Sequence, residues 1–157
     1  MKLHLLRHAK THQKSPTGKD FDRELLPRGI AQSEALADYL QDKISGIDVW
    51  CSDATRTRQT LGILAKTISL GHTSYFKALY LCSYRQYLSM LNHRRGGSEL
   101  LIVGHNFGIS DIANYFTGES SELRTGGYVC IEFDGLAWAE VSRDTGTIVD
   151  RYRPSVR

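Results

Sequence analysis

The chain has 157 residues, 41% hydrophobic and 24% charged, with only three prolines. That balance predicts one globular domain over 1–157 with a full-sized core, and excludes collagen-like, low-complexity and disordered chains. No window approaches the roughly 18 to 20 uninterrupted apolar residues of a membrane-spanning helix, and the start MKLHLLRHAK reaches charge too early for a signal peptide. The expectation is a cytoplasmic protein with no membrane partner. A net charge of +3, its bases interleaved with acids, lacks the concentrated basic surface that nucleic acid demands. Cys51, Cys82 and Cys130 form an odd set without C-x-x-C spacing, which points to reduced thiols and not to a disulfide framework or a cysteine-rich zinc site.

Apolar runs alternate with amphipathic stretches, the pattern of an α/β domain in which a mixed, mostly parallel sheet lies between helices as a three-layer structure. Lys2 to Leu6 reads as a short strand. Arg7 to Leu26 is a long polar loop marked by Pro16 and Gly18, and loops of that length are usually functional. Ile30, Ala35, Leu36, Tyr39 and Leu40 recur at helical spacing between Pro27 and Lys43, and Ile47 to Cys51 supplies a second strand. A helix follows from Ala54 to Ile68, then a weak strand near Ser74 to Ala78, a helix from Ser83 to Asn92 and the buried strand Leu100 to Val103. Phe107 to Phe116 resumes the helical period. Tyr128 to Phe133 and Ala137 to Val141 read as a closing antiparallel hairpin around Asp134 and Gly135.

Three strand ends carry unusual residues. Leu6 runs into Arg7 and His8, Cys51 into Ser52 and then Arg56, and Val103 into Gly104 and His105. In sheets of this kind ligands collect at the carboxyl ends of the strands. Two arginines and two histidines meeting there suit a tetrahedral dianion such as phosphate or sulfate: guanidinium forks pair with the oxygens, and a neutral imidazole nitrogen can attack phosphorus. Each residue alone has a plainer reading. A histidine past a strand caps or packs, Arg56 is a solvated helix residue, and Gly104 is a turn; it is their repetition at equivalent strand ends that points to a site.

LLRHAKT at Leu5 to Thr11, SDATRTRQT at Ser52 to Thr60 and VGHNFG at Val103 to Gly108 resemble the nucleophile, second arginine and second histidine motifs of the histidine phosphatase superfamily, whose fold is phosphoglycerate mutase-like. The alanine in RHAK, the DFDRELLPRG segment at Asp20 to Gly29, the segment TGGYVCIEFDG, the final YRP and the small size resemble its SixA-type phosphohistidine phosphatases. The resemblance implies that His8 is the nucleophile and becomes phosphorylated, that Arg7, Arg56 and His105 hold the phosphoryl oxygens, and that the substrate is a phosphohistidine on another protein. No cofactor and no metal are implied. Arginines beside His8 are expected to depress its pKa, and a backbone carbonyl on its other ring nitrogen would present the attacking lone pair. Asn106 and the helix start after it would support the phosphate. In the DFDR segment Arg23 and Asp22 are candidates for substrate contact; equally, an Asp22–Arg23 or Asp20–Arg28 pair would merely pin the loop.

One departure bears on chemistry. Ester-cleaving branches of the superfamily place an acidic residue after the third strand as general acid, yet KALYLCSYRQ has none, with Tyr80 or Leu81 in that region. An alkoxide needs a proton to leave, whereas phosphohistidine loses an imidazole that leaves far more readily. The missing acid favours phosphohistidine, unless Asp20 or Asp22 swings in from the loop. A small-molecule phosphomonoesterase and a phosphate-recognition module with weak turnover remain the alternatives. His4, His8 and His12 straddle a strand and a loop and do not share a helical metal face. Cys51 to Arg56 is C-x4-R, one residue short of the C-x5-R loop of cysteine phosphatases, and no nucleotide-binding glycine fingerprint appears.

Overall fold

A computed structural model describes residues 1–155. Ten principal elements follow in chain order: β1 (Lys2–Arg7), α1 (Pro27–Leu40), β2 (Ile47–Ser52), α2 (Thr55–Leu64), β3 (Leu70–Phe76), α3 (Tyr84–His93), β4 (Glu99–Gly104), α4 (Gly108–Thr117), β5 (Tyr128–Glu132) and β6 (Thr147–Tyr152). The six strands form one sheet in the order β3-β2-β4-β1-β5-β6. β1, β2, β3 and β4 run parallel, while β5 runs against both β1 and β6.

Strand alternation produces two apolar layers, because successive side chains point to opposite faces. Leu3, Leu5, Leu100, Ile102, Val129 and Ile131 pack with Tyr87 and Leu91 of α3 and with Ile109, Ile112 and Phe116 of α4. Leu6, Val49, Cys51, Leu101, Val103, Tyr128 and Cys130 pack with Leu36 and Leu40 of α1 and with Leu61 and Leu64 of α2. β1 and β4 are buried on both faces, which explains their unbroken apolar runs. The three cysteines are free.

The sequence pattern misplaces one element. Ala137 to Val141 is not the return strand of a hairpin: it forms a 3-10 turn over Trp138–Glu140, and β6 pairs with β5 instead. Trp138 is buried with its Nε1 donating to Gly97 O at 2.8 Å, and Asn92 Nδ2 donates to the carbonyls of Trp138 and Val141 at 3.0 and 3.2 Å. The apolar residues there plug the core from its end. β6 is a half-exposed edge strand carrying Asp150 and Arg151, so it lacks the apolar signal of its neighbours.

Candidate active site

Strand order and register build the site. β2, β4 and β1 are adjacent, with Cys51 and Leu6 both level with Val103, and Arg7 level with Gly104. The residues that follow these three ends therefore share one opening. α2 is tied to the end of β1 by buried hydroxyls: Thr60 Oγ1 accepts from Ala9 N at 3.1 Å and donates to Arg56 O at 2.8 Å. Thr57 Oγ1 donates to Ser52 O at 2.7 Å, closing the turn from β2 into α2. α1 packs so closely that a Cβ on Gly29 would lie 2.0 Å from Lys10 O, so glycine is required there.

The result is a cleft of about 890 Å³ at these strand ends, lined by Arg7, His8, Arg56, His105 and Asn106 together with the Lys10–Lys14 stretch, Asp20 and Arg23. His8 and His105 face each other with ring centroids 5.3 Å apart. His8 Nδ1 lies 2.8 Å from Ala9 O. A carbonyl can only accept, so Nδ1 carries the proton and Nε2 keeps its lone pair. Arg56 Nε stands 3.3 Å from that Nε2. Burial, more than its neighbours, holds the His8 imidazole well below its usual range, with His105, Arg56 and Arg7 adding to the depression. Burial likewise lowers His105 to about 3, again with help from Arg56. His105 Nε2 meets Ser52 Oγ at 2.7 Å. Its Nδ1, and Nε of Arg7, are buried without a hydrogen-bond partner among the described residues. Buried polar nitrogens in this state typically cost about 1 to 3 kcal/mol each, and their clustering marks a site built for a ligand with oxygen atoms.

The loop candidates divide. Arg23 enters the cleft, but its guanidinium is engaged, with Nε on His12 O at 2.7 Å, one terminal nitrogen on Asp20 at 2.9 Å and the other on Thr11 Oγ1 at 2.5 Å. Asp22 accepts from Thr17 Oγ1 at 2.5 Å and is not among the residues lining the cleft; its placement is that of a loop pin. Asn106 lines the cleft while its Nδ2 donates to Glu122 and to Leu123 O, both at 3.0 Å. Ion pairs in the loop join Asp20 to Arg23 and to Arg56, so Arg23 takes Asp20 and not Asp22 as its carboxylate partner.

Asp20 is the residue that pattern reading underrates. The loop doubles back, with Thr11 bridged to Leu25, and brings Asp20 onto Arg56: one terminal nitrogen donates to Asp20 O at 2.8 Å and the other to Oδ2 at 3.0 Å. Tyr80, in the region where the acid is missing, donates its hydroxyl to the same carboxylate. Burial pushes this carboxyl upward, yet hydrogen bonds from Tyr80, Arg23 and Arg56 outweigh it and hold the group ionised far below the ordinary carboxylate range. Cys51 is inert, fully buried and pushed up to about 12. His4 is a core residue, its ring nitrogens 2.7 Å from Tyr128 and 2.9 Å from Glu99.

The depression of His8 and His105, the two histidines of the cleft, makes stability depend on pH. In the unfolded chain both titrate near 6.5, so below that value the unfolded state takes up protons that the folded state refuses, and stability falls with falling pH. Lowering the pH from 7 to 5 is expected to cost up to about 4 kcal/mol from the two sites together. A urea midpoint that stays level or rises across this interval would contradict the neutral, buried state of both rings.

Residues 3–75 match the Histidine phosphatase superfamily (branch 1). This stretch belongs to that superfamily. Over 104 residues the chain is 38% identical to an uncharacterised protein of Mycobacterium tuberculosis, a match covering 64% of this chain and 62% of that relative. An uncharacterised chloroplastic protein of Arabidopsis thaliana is 26% identical over 152 residues, covering 88% of this chain and 69% of its own. Among solved structures, a candidate phosphohistidine phosphatase SixA from Agrobacterium tumefaciens superposes with a TM-score of 0.84 at 25% identity, covering 98% of this chain and 97% of that one. The protein histidine phosphatase SixA complexed with tungstate gives 0.82 at 18% identity with 98% and 97% covered. Mycobacterial glucosyl-3-phosphoglycerate phosphatase gives 0.65 at 14%, with 94% and 96% covered. These last two share the fold, which is phosphoglycerate mutase-like as the sequence resemblance implies. Among the described residues no helix is long and apolar enough to cross a membrane. The superfamily match over residues 3–75 and the SixA likeness support a phosphatase.

Proposed function

We propose that the protein hydrolyses phosphohistidine on a partner protein through a covalent intermediate on His8. The single observation that carries this reading is the orientation of His8: Nδ1 fixed on Ala9 O, and Nε2 presented beside Arg56 in the cleft. The lone pair of Nε2 would attack phosphorus in line with the substrate's P–N bond. One P–N bond forms on His8 as the other breaks, and the substrate imidazole leaves with a proton from solvent. Water then attacks the phosphoryl group on His8 and releases inorganic phosphate. Arg7, Arg56 and His105 hold the equatorial oxygens, stabilising charge that spreads over them in the transition state. An arriving dianion raises the pKa of His105, so the ring that is neutral in the free site becomes a donor. Asn106 supports from the edge. Asp20 must yield at least one terminal nitrogen of Arg56 to the phosphoryl group.

The protein's own side chains supply all of these roles, and among the described residues no group of three or more His, Cys, Asp or Glu is placed to hold a metal ion; the reaction is written without one, and a chelator is expected to leave the rate unchanged. The test is turnover on a panel of phosphohistidine proteins and small phosphate esters. Alanine at Arg7, Arg56 or His105 is expected to lower the rate about 10²- to 10³-fold each, the usual effect of removing one preorganised donor. A folded variant with wild-type turnover would take that residue out of the phosphoryl site.

A further inference from the structure

We infer that the rim of the cleft is a docking surface for an acidic protein face, with Phe107 and Leu81 as its apolar anchors. This rests on the phosphohistidine-protein reading above and extends it from the phosphoryl group to the partner. Phe107 is 71% exposed and Leu81 53% exposed, the two largest exposures among the large hydrophobic residues that stand out at the surface. They belong to one lip. Phe107 directly follows His105 and Asn106, Leu81 lines the cleft, and their chains touch: a Cβ on Gly108 would lie 2.0 Å from Cys82 O. Leu81 also sits at φ 49, a left-handed conformation that costs a non-glycine residue of order 1 to 3 kcal/mol. Its half-exposed side chain recovers little of that within the fold. Strain at an exposed apolar residue beside a catalytic cleft fits a contact made with something else.

Charge states what that something is. The cleft lining contains Arg7, Lys10, Lys14, Arg23, Arg28 and Arg56 against a single carboxylate, Asp20, which is itself held by Arg23 and Arg56. A lone phosphoryl group engages only the inner arginines. The outer cations Lys10 and Lys14 lie in the loop beyond it and complement an extended negative surface. An aromatic residue next to such a rim has the composition of a protein-binding hot spot. The occupant is therefore a protein that presents phosphohistidine from an acidic face with apolar side chains near it.

The experiment compares Phe107→Ser with wild type on two substrates: an acidic histidine-containing phosphotransfer protein phosphorylated with phosphoramidate, and p-nitrophenyl phosphate. Expected is a fall of about 10- to 100-fold in kcat/KM on the protein, as for loss of an interface hot spot, with the aryl phosphate unchanged and activity on the protein recovered by Phe107→Leu. Lys14→Glu is expected to weaken the protein reaction further, and raised salt to weaken it more in wild type than in Lys14→Glu. Equal effects of Phe107→Ser on both substrates would place Phe107 in a small-molecule subsite and overturn the docking surface, as would no effect on either. Failure of wild type to hydrolyse any phosphohistidine protein, while cleaving small phosphates, would instead remove the functional reading beneath it.

Discussion

Replacing His8 with alanine is expected to abolish turnover, with a loss of roughly 10⁴-fold or more, the scale seen when a nucleophile is removed from a unit that acts together. Arg7, Arg56 and His105 would still bind a phosphoryl group in that variant, so substrate affinity should survive the loss of chemistry. Wild type quenched during turnover should carry phosphate on His8 that is labile to acid and stable to alkali; the variant should carry none. His8 is buried against the end of β1, and His8→Asn offers a second variant of nearer volume if alanine perturbs folding. Normal turnover in either folded variant would end the covalent mechanism.

The second large effect concerns the leaving group. A placed general acid is worth about 10² to 10⁴ in rate, and among the described residues that line the cleft the one carboxyl group, Asp20, is held ionised. Tyr80 occupies the relevant region with its hydroxyl committed to Asp20 and its pKa raised by burial and by that carboxylate. Asp20 is close enough to matter, but Tyr80, Arg23 and Arg56 keep it ionised, and an ionised carboxylate has no proton to give. Phosphohistidine and activated aryl phosphates should therefore turn over, while phosphoserine and other alkyl esters lag by a factor of about 10² to 10⁴. Comparable kcat/KM on phosphohistidine and an alkyl phosphate would show that a proton donor operates after all, and Asp20→Asn would then be the first variant to make.

The four central residues were readable from the sequence for a physical reason. Arg7 ends β1, and His8 and His105 directly follow β1 and β4, strands buried on both faces whose apolar runs mark the positions; Arg56 lies one turn beyond β2, which is apolar on alternate residues. Asp20 had no such marker. Its place on Arg56 depends on how the 11–25 loop folds back, through the Thr11–Leu25 bridge and the packing of Phe21 edge-on against Tyr80 at 4.9 Å, contacts that no periodicity encodes. The same limit explains Asp22, whose neighbourhood in sequence to Arg23 says nothing of which side of the loop it takes. At the far edge the period itself misled: Trp138 is as apolar as any strand residue but is buried by a turn, whereas Thr147–Tyr152 pairs through its backbone while showing charge to solvent.

β1 precedes the other five strands in the described residues and yet lies inside the sheet, where Leu3 pairs with Leu100 on one side and Ile131 on the other. During synthesis or refolding this strand can neither hydrogen-bond nor bury its leucines until distant segments arrive, and closing loops of that span makes assembly slow. His8 gains Ala9 O locally but meets His105 only when β4 has docked. The capacity to bind phosphate should therefore appear late in refolding, together with the completed sheet, and α1 and α2 packed on an unfinished sheet would form a compact body without chemistry.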